Sequence, residues 1–299
     1  MSSSDPSSSV GGDMTTMQAM TAATEMTIRL CAFGTVLGGM WIWELLAPRR
    51  RLTCREPYRR LSNLGLVVLN SVLARLLVPL SAVAAAELAT ARDWGVFAWI
   101  AWPRWLEFII ALVALDLTLY LQHVMFHAVP ALWRLHMVHH ADLDFDATTG
   151  LRFHTLEILL SLAFKCGVVL ALGPSAWAVL IFEVLLNATS IFNHSNVRMP
   201  PWLDPWLRFI VVTPDMHRVH HSALRRETNS NFGFNLPWWD RLLGTYRGQP
   251  QAGHEQMTIG LGHLRDEERT ERLHWMLALP FLRGPGEYPI TDGEAGQGD

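Results

Sequence analysis

Apolar residues run almost unbroken from Ile28 to Ala47, with Arg29 and Glu44 as charged exceptions near the ends. About 20 helical residues reach about 30 Å, the thickness of a bilayer's hydrocarbon. A second run covers about Leu64 to Ala89, marked internally by Arg75, and a third about Leu106 to Gln122, with Asp116 inside it. A fourth apolar stretch, about Leu156 to Phe192, is long enough for two helices. It is broken by Gly173-Pro174-Ser175, so it predicts a hairpin. Glu157, Lys165 and Glu183 make both arms weaker spans than the first. The pattern therefore predicts an all-α integral membrane helical bundle, of about four spans or three plus a hairpin. Residues after about Pro200 mix apolar and charged positions and are expected to pack as a cytosolic helical cap. Residues 1–26, rich in Ser, Gly, Thr and Met, predict a flexible tail, and 283–299 predict another. They bracket a single membrane domain over 27–282. The first tail lacks a basic segment leading into a short apolar core, so a cleaved signal peptide is not expected.

Charge then orients the bundle. The connection after the first run carries Arg49, Arg50, Arg51, Arg55, Arg59 and Arg60. Short arginine-dense loops stay in the cytoplasm. Following the chain from there brings the ends of the third run and of the hairpin to the cytoplasmic face. Trp94, Trp99, Trp102 and Trp105 surround Pro103 and are expected at the opposite interface. Only 17% of the chain is charged, below the roughly 25% of a soluble domain. A net charge of −3 gives no reason to expect nucleic-acid binding. Cys31, Cys54 and Cys166 are far apart and read as free thiols. There is no internal repeat, no dinucleotide fingerprint and no Walker sequence.

Ten of the 13 histidines fall between residues 123 and 221. They are His123 and His127, then His136, His139 and His140, then His154, His194, and finally His217, His220 and His221. On a helix, positions i, i+3 and i+4 share a face, so each cluster can aim its imidazoles at one point. Adjacent imidazoles cost desolvation unless something binds them, and ten exceed the needs of one metal. The spacing predicts two metal ions just inside the membrane. All-histidine ligation suits zinc, iron or copper. The His-Glu-x-x-His of a zinc protease is absent, since His254-Glu255 has no histidine at the required place. Two irons match best, a pair able to use O2 and two external electrons on an unactivated C–H bond. A zinc-dependent membrane hydrolase, a metal-stabilised membrane protein and a metal transporter stay open. His154 and His194 stand alone, and spacing leaves their ligation undecided. His254, His263 and His274 read as ordinary histidines.

Asp116 lies about two turns before His123 and is expected to accept the spare N–H of a ligand imidazole. Tyr120, three residues before His123, faces either the site or the interface. Arg152 and Glu157 flank His154, either as an ion pair orienting that segment or as a solvated helix start.

These motifs together resemble the fatty acid hydroxylase superfamily, which includes sterol desaturases and C4-methyl sterol oxidases. Asp116, Tyr120, His123 and His127 look like its first box, and Trp133 through His140 like its second. Arg152-Phe153-His154 through Glu157, Phe192 through Asn196, and Thr213 through His221 resemble the segments that follow. Asn231-Phe232-Gly233, Trp239-Asp240-Arg241 and Gly244-Thr245-Tyr246 resemble its closing signature. The resemblance covers about residues 108–247. It implies an integral membrane di-iron oxygenase that hydroxylates or desaturates a membrane lipid with O2. It also gives weight to His154 and His194 as ligands. Phe232 replaces a tyrosine common in the signature, and Arg198 stands where some members have a further histidine. No cytochrome-like domain is expected here, so electrons come from a separate donor, a cytochrome b5-like protein or a ferredoxin with its reductase.

Overall fold

The computed structural model describes residues 22–54 and 56–291. Among them the regular elements are all helical, and extended backbone pairs only at isolated bridges, Pro48 with Val197 and Ser222 with Ile259. The bundle is made of α1 (Ala22–Leu46), α2 (Glu56–Leu77), α3 (Ala82–Ala91), α4 (Arg104–Ala128), α5 (Pro130–His140), α6 (Thr155–Leu172) and α7 (Ala176–Asn193). Among the described residues five stretches are long and apolar enough to cross a membrane: Ala22–Leu46, Pro57–Trp99, Arg104–Ala128, Thr155–Leu172 and Ala176–Asn193. This is the arrangement of three spans plus a hairpin.

Two helices differ from the pattern. α1 begins at Ala22, inside the stretch expected as a tail. Arg29 Nε donates to Glu25 one turn earlier at 2.9 Å, which extends the helix backwards. The rest of that expected tail, residues 1–21, lies outside the described residues. The second run is not one helix. Pro79 has no N–H to give, so α2 stops at Leu77, and Ser81 opens α3 by accepting from the Ala84 amide at 3.1 Å.

The charges inside the apolar runs find one another. Glu183 of α7 accepts from Arg29 of α1 at 2.5 Å and from Lys165 of α6. Ala82, Ala85 and Ala86 of α3 are buried against Val169, Val179 and Leu180, with Leu115 and Leu119 of α4 in the same cluster. Gly173, at φ 69°, ends α6, and a Cβ at Gly95 would lie 2.3 Å from the Gly173 amide. That approach fastens the far tip of the hairpin to the tryptophan segment, where Trp94, Trp99 and Trp105 are exposed. The three cysteines are free.

At the other end the arginine-rich connection clamps the cap. Arg49 pairs with Asp215 at 3.2 Å, Arg50 donates to Met257 O at 2.9 Å, and buried Arg59 holds Asp142 at 2.9 Å together with Asp146. Arg55 lies outside the described residues. The C-terminal segment also departs from expectation. The apolar helix Leu273–Leu282 packs on α2 and α5, and Tyr288 beyond it is buried against Trp133. Tyr288 donates to Ala223 O and accepts from the Gly262 amide, each at 2.8 Å. The expected tail therefore docks through residue 291, and 292–299 lie outside the described residues.

Candidate metal centre

Four elements deliver the histidines. His123 and His127 occupy the last turns of α4, and Pro130 starts α5 immediately after, carrying His136, His139 and His140. His194 caps α7. Thr213 accepts from the Met216 amide to open the short helix Pro214–His220, which carries His217 and His220, with His221 at its end.

Nine of these rings converge in two adjoining groups. His123, His127, His136, His140 and His220 form one, and His139, His194, His217 and His221 the other. Within each group the candidate ligand atoms lie within 4.8 Å of one another, and every ring is buried. The grouping follows helix geometry. Residues four apart lie about 40° apart around the axis, whereas neighbours lie about 100° apart. So His136 and His140 share a group while His139 turns to the other, and His217 and His221 share that second group while His220 turns back. The groups touch, with His140 stacked on His221 at 4.7 Å between centroids.

Five of the nine rings have an anchored outward nitrogen. Nδ1 of His123 donates to Phe232 O at 2.8 Å, of His127 to Asn229 Oδ1 at 2.9 Å, of His136 to Glu157 Oε1 at 2.6 Å, of His194 to Ser190 O at 2.7 Å and of His220 to Ser230 O at 2.7 Å. Each acceptor fixes the proton on Nδ1 and leaves a bare Nε2 lone pair pointing inward. Nε2 of His123 and His136 then face each other at 3.1 Å, lone pair to lone pair. Nε2 of His127, His140 and His220 are buried without a partner. Such an arrangement is repulsive and desolvated by itself, and it fits a cation held between the rings. Burial pushes His136 and His194 down to about 3, and holds His139, His140, His217, His220 and His221 well below the usual histidine range. Neutral imidazole is the form that ligates.

Three expectations are corrected. His154 joins neither group: its Nδ1 accepts from the Leu156 amide at 3.2 Å as the cap of α6, and its Nε2 donates to Leu277 O at 3.2 Å. Asp116 meets no imidazole. Its carboxylate accepts from Trp239 Nε1 and Asn235 Nδ2, each at 2.8 Å, and so pins the 235–239 segment to α4. Arg152 and Glu157 do not pair. Arg152 binds Glu271 and Val138 O, and Glu157 is the carboxylate behind His136. Tyr120 faces the segment behind the site, with its hydroxyl 2.8 Å from Thr245 Oγ1. Thr245 donates to Asp240, which accepts from the Phe232 and Gly233 amides at 2.7 and 2.9 Å. This knot aims Phe232 O at His123, so the backbone oxygen at position 232 serves the site whether or not a ring hydroxyl is present. Phe153, stacked on His139 at 4.4 Å, and Phe145, 5.6 Å from His194, are walls that spacing did not reveal.

Residues 108–245 match the model of the fatty acid hydroxylase family. Over these residues, a little under half of its length, the chain is similar to the fatty acid hydroxylase family. The matched region contains every histidine of both groups. The chain is 33% identical over 158 residues to ornithine lipid hydroxylase OlsE of Rhizobium tropici, covering 53% of this chain and 47% of that one. It is 32% identical over 158 residues to alkylglycerol monooxygenase of Homo sapiens, covering 51% and 32%. It is 27% identical over 147 residues to cholesterol 25-hydroxylase of Rattus norvegicus, covering 48% of each. The chain thus spans about half or less of the length of these curated relatives. No solved structure matches it significantly. The apolar helices and the family together make this an integral membrane protein.

Proposed function

We propose that this chain hydroxylates a lipid C–H bond with O2, using two irons held by nine histidines. The observation that carries the reading is the double convergence of buried imidazoles whose inward nitrogens either face one another or lack a partner. His123, His127, His136, His140 and His220 hold one ion, and His139, His194, His217 and His221 the other. His154 is left out of the ligand set, because both its nitrogens are engaged elsewhere. The chemistry supplied by a bound iron pair is reductive use of O2: C–H becomes C–OH, the second oxygen leaves as water, and two electrons and two protons come from outside.

The chain's own residues prepare that chemistry. Glu157 accepts a 2.6 Å hydrogen bond from Nδ1 of His136 and raises the donor strength of that ring. Phe145, Phe153 and Phe232 line the imidazoles and exclude water. The spans keep the lipid substrate in the bilayer beside the site, the histidine side faces the cytoplasm, and a separate cytochrome b5-like or ferredoxin donor delivers electrons there. Relatives named as hydroxylases and monooxygenases support oxygen insertion over desaturation.

The test is metal analysis of the purified protein joined to lipid mass spectrometry of cells with and without it. Two irons per chain, one for each imidazole group, and a lipid heavier by one oxygen are expected. A protein fully active without iron, or one that turns over without consuming O2, overturns the proposal.

A further inference from the structure

Among the described residues, none covers one face of the cap. Trp202, Trp206, Phe209, Ile210, Leu242 and Leu243 are each more than half exposed. They come from two stretches held side by side: Trp238 Nε1 donates to Phe209 O at 2.7 Å, and Arg241 Nη2 to Arg208 O at 3.0 Å. A contiguous apolar patch of this kind marks an interaction surface. Free charge is nearly absent from it. Asp204 and Arg208 pair at 2.6 Å, and Asp240 is buried. The exposed Arg241 lays its guanidinium over the rings of Phe209 and Tyr246, at 4.8 and 4.1 Å, as a side chain does when its stem lies in an apolar medium. The backbone is equally prepared to leave water. The amides of Arg208, Phe209, Ile210 and Val211 all donate within their own turn, and that of Val212 donates to Asn235 O.

The height of the patch decides its partner. Asp116, which accepts from Asn235 and Trp239, lies 12 residues before the end of α4 at Ala128. That is about 18 Å along the axis. Thr189, bonded to Asn235, lies four residues before the end of α7 at Asn193. That is about 6 Å. Both helices are among those long and apolar enough to cross a membrane. The 235–239 segment therefore sits beside crossing helix, short of the level where the spans end, and it carries the patch with it.

We propose that this face of the cap is immersed in the lipid leaflet on the histidine side, among the acyl chains. Its occupant is the bilayer itself, continuous with the lipid around α4 and α7, and the tryptophans at its edge mark the headgroup boundary. The cap is then a half-inserted unit rather than a water-surrounded one.

The experiment uses the unaltered protein in phosphatidylcholine nanodiscs with two carbene probes, a phospholipid carrying a diazirine in its acyl chain and a water-soluble diazirine. Adducts are mapped by peptide mass spectrometry. Acyl-chain adducts on the peptides spanning 202–210 and 242–243 are expected, at yields matching those on exposed Leu30 and Leu45 of α1 and above those from the water-soluble probe. Water-probe yields equal to or above the acyl-chain yields on these peptides overturn the proposal. So does absence of labelling by either probe, which means that protein covers the face.

Discussion

His136 and His154 mark the two fates of an imidazole in this chain. Both are buried, both sit in the region rich in histidine, and they differ in what their nitrogens face. His136 spends Nδ1 on Glu157 and keeps Nε2 for the interior, whereas His154 has both nitrogens committed to backbone groups. Removing Glu157 as Glu157→Ala is expected to weaken metal binding by about 10–100-fold, read by metal competition with a chelator. His154→Ala should keep the full metal content, and loss of an ion from that variant would return His154 to the ligand set. Sequence spacing could find the paired rings, because i, i+4 is a property of residue numbers. It could not find most of the Nδ1 anchors. Phe232 O, Ser190 O and Ser230 O are backbone oxygens, and any residue type carries one. Glu157 was visible as a charge in an apolar run, but its partner depended on how α5 and α6 cross.

Single helices followed the apolar pattern closely, and what crosses between them did not. Pro79 split an apolar run that hydropathy joins, although a proline's missing donor is itself legible. Arg29, Lys165 and Glu183 looked like defects in separate spans and form one ionic cluster. Arg59 looked like an orientation signal, yet it is buried and ties the start of α2 to Asp142 and Asp146, just after the histidines of α5. Arg59→Ala removes the fully buried cation shared by Asp142 and Asp146, leaving Asp146 to Arg60 and Asp142 to the more distant Arg152, and is expected to destabilise the protein by about 3–5 kcal/mol, measured by denaturant unfolding in detergent. Asp116 makes the same point in reverse. Its position suggested a link to a ring on its own helix, and it instead holds a distant segment that folds back along α4.

Across the whole molecule the spans frame a cap whose interior is built from neutral imidazoles, and this makes the fold sensitive to metal and to acid. Stripping the metal leaves lone pairs facing one another at about 3 Å, so chelation should lower the thermal unfolding temperature and open the 213–233 region to protease, with the spans still protected. Burial holds His254, which is outside both groups, down to about 4, although nearby Asp215 pulls the other way. An unfolded histidine takes up a proton below about 6.5 and the folded one resists until about 4. Its contribution is therefore intact above 6.5 and fades as the pH falls toward 4. The unfolding temperature of the protein should drop across that window, and His254→Gln should flatten part of the drop.

The alternating assignment of each His-x-x-His-His triplet would couple the fates of the two proposed ions. α5 gives two rings to one pocket and one to the other, and the Pro214–His220 helix with His221 reverses the proportion. Seating a first ion would set the rotation of both helices and complete most of the second pocket before anything enters it. Under the two-ion proposal, loading is therefore expected to be cooperative, with half-filled protein scarce at every concentration of metal in a titration.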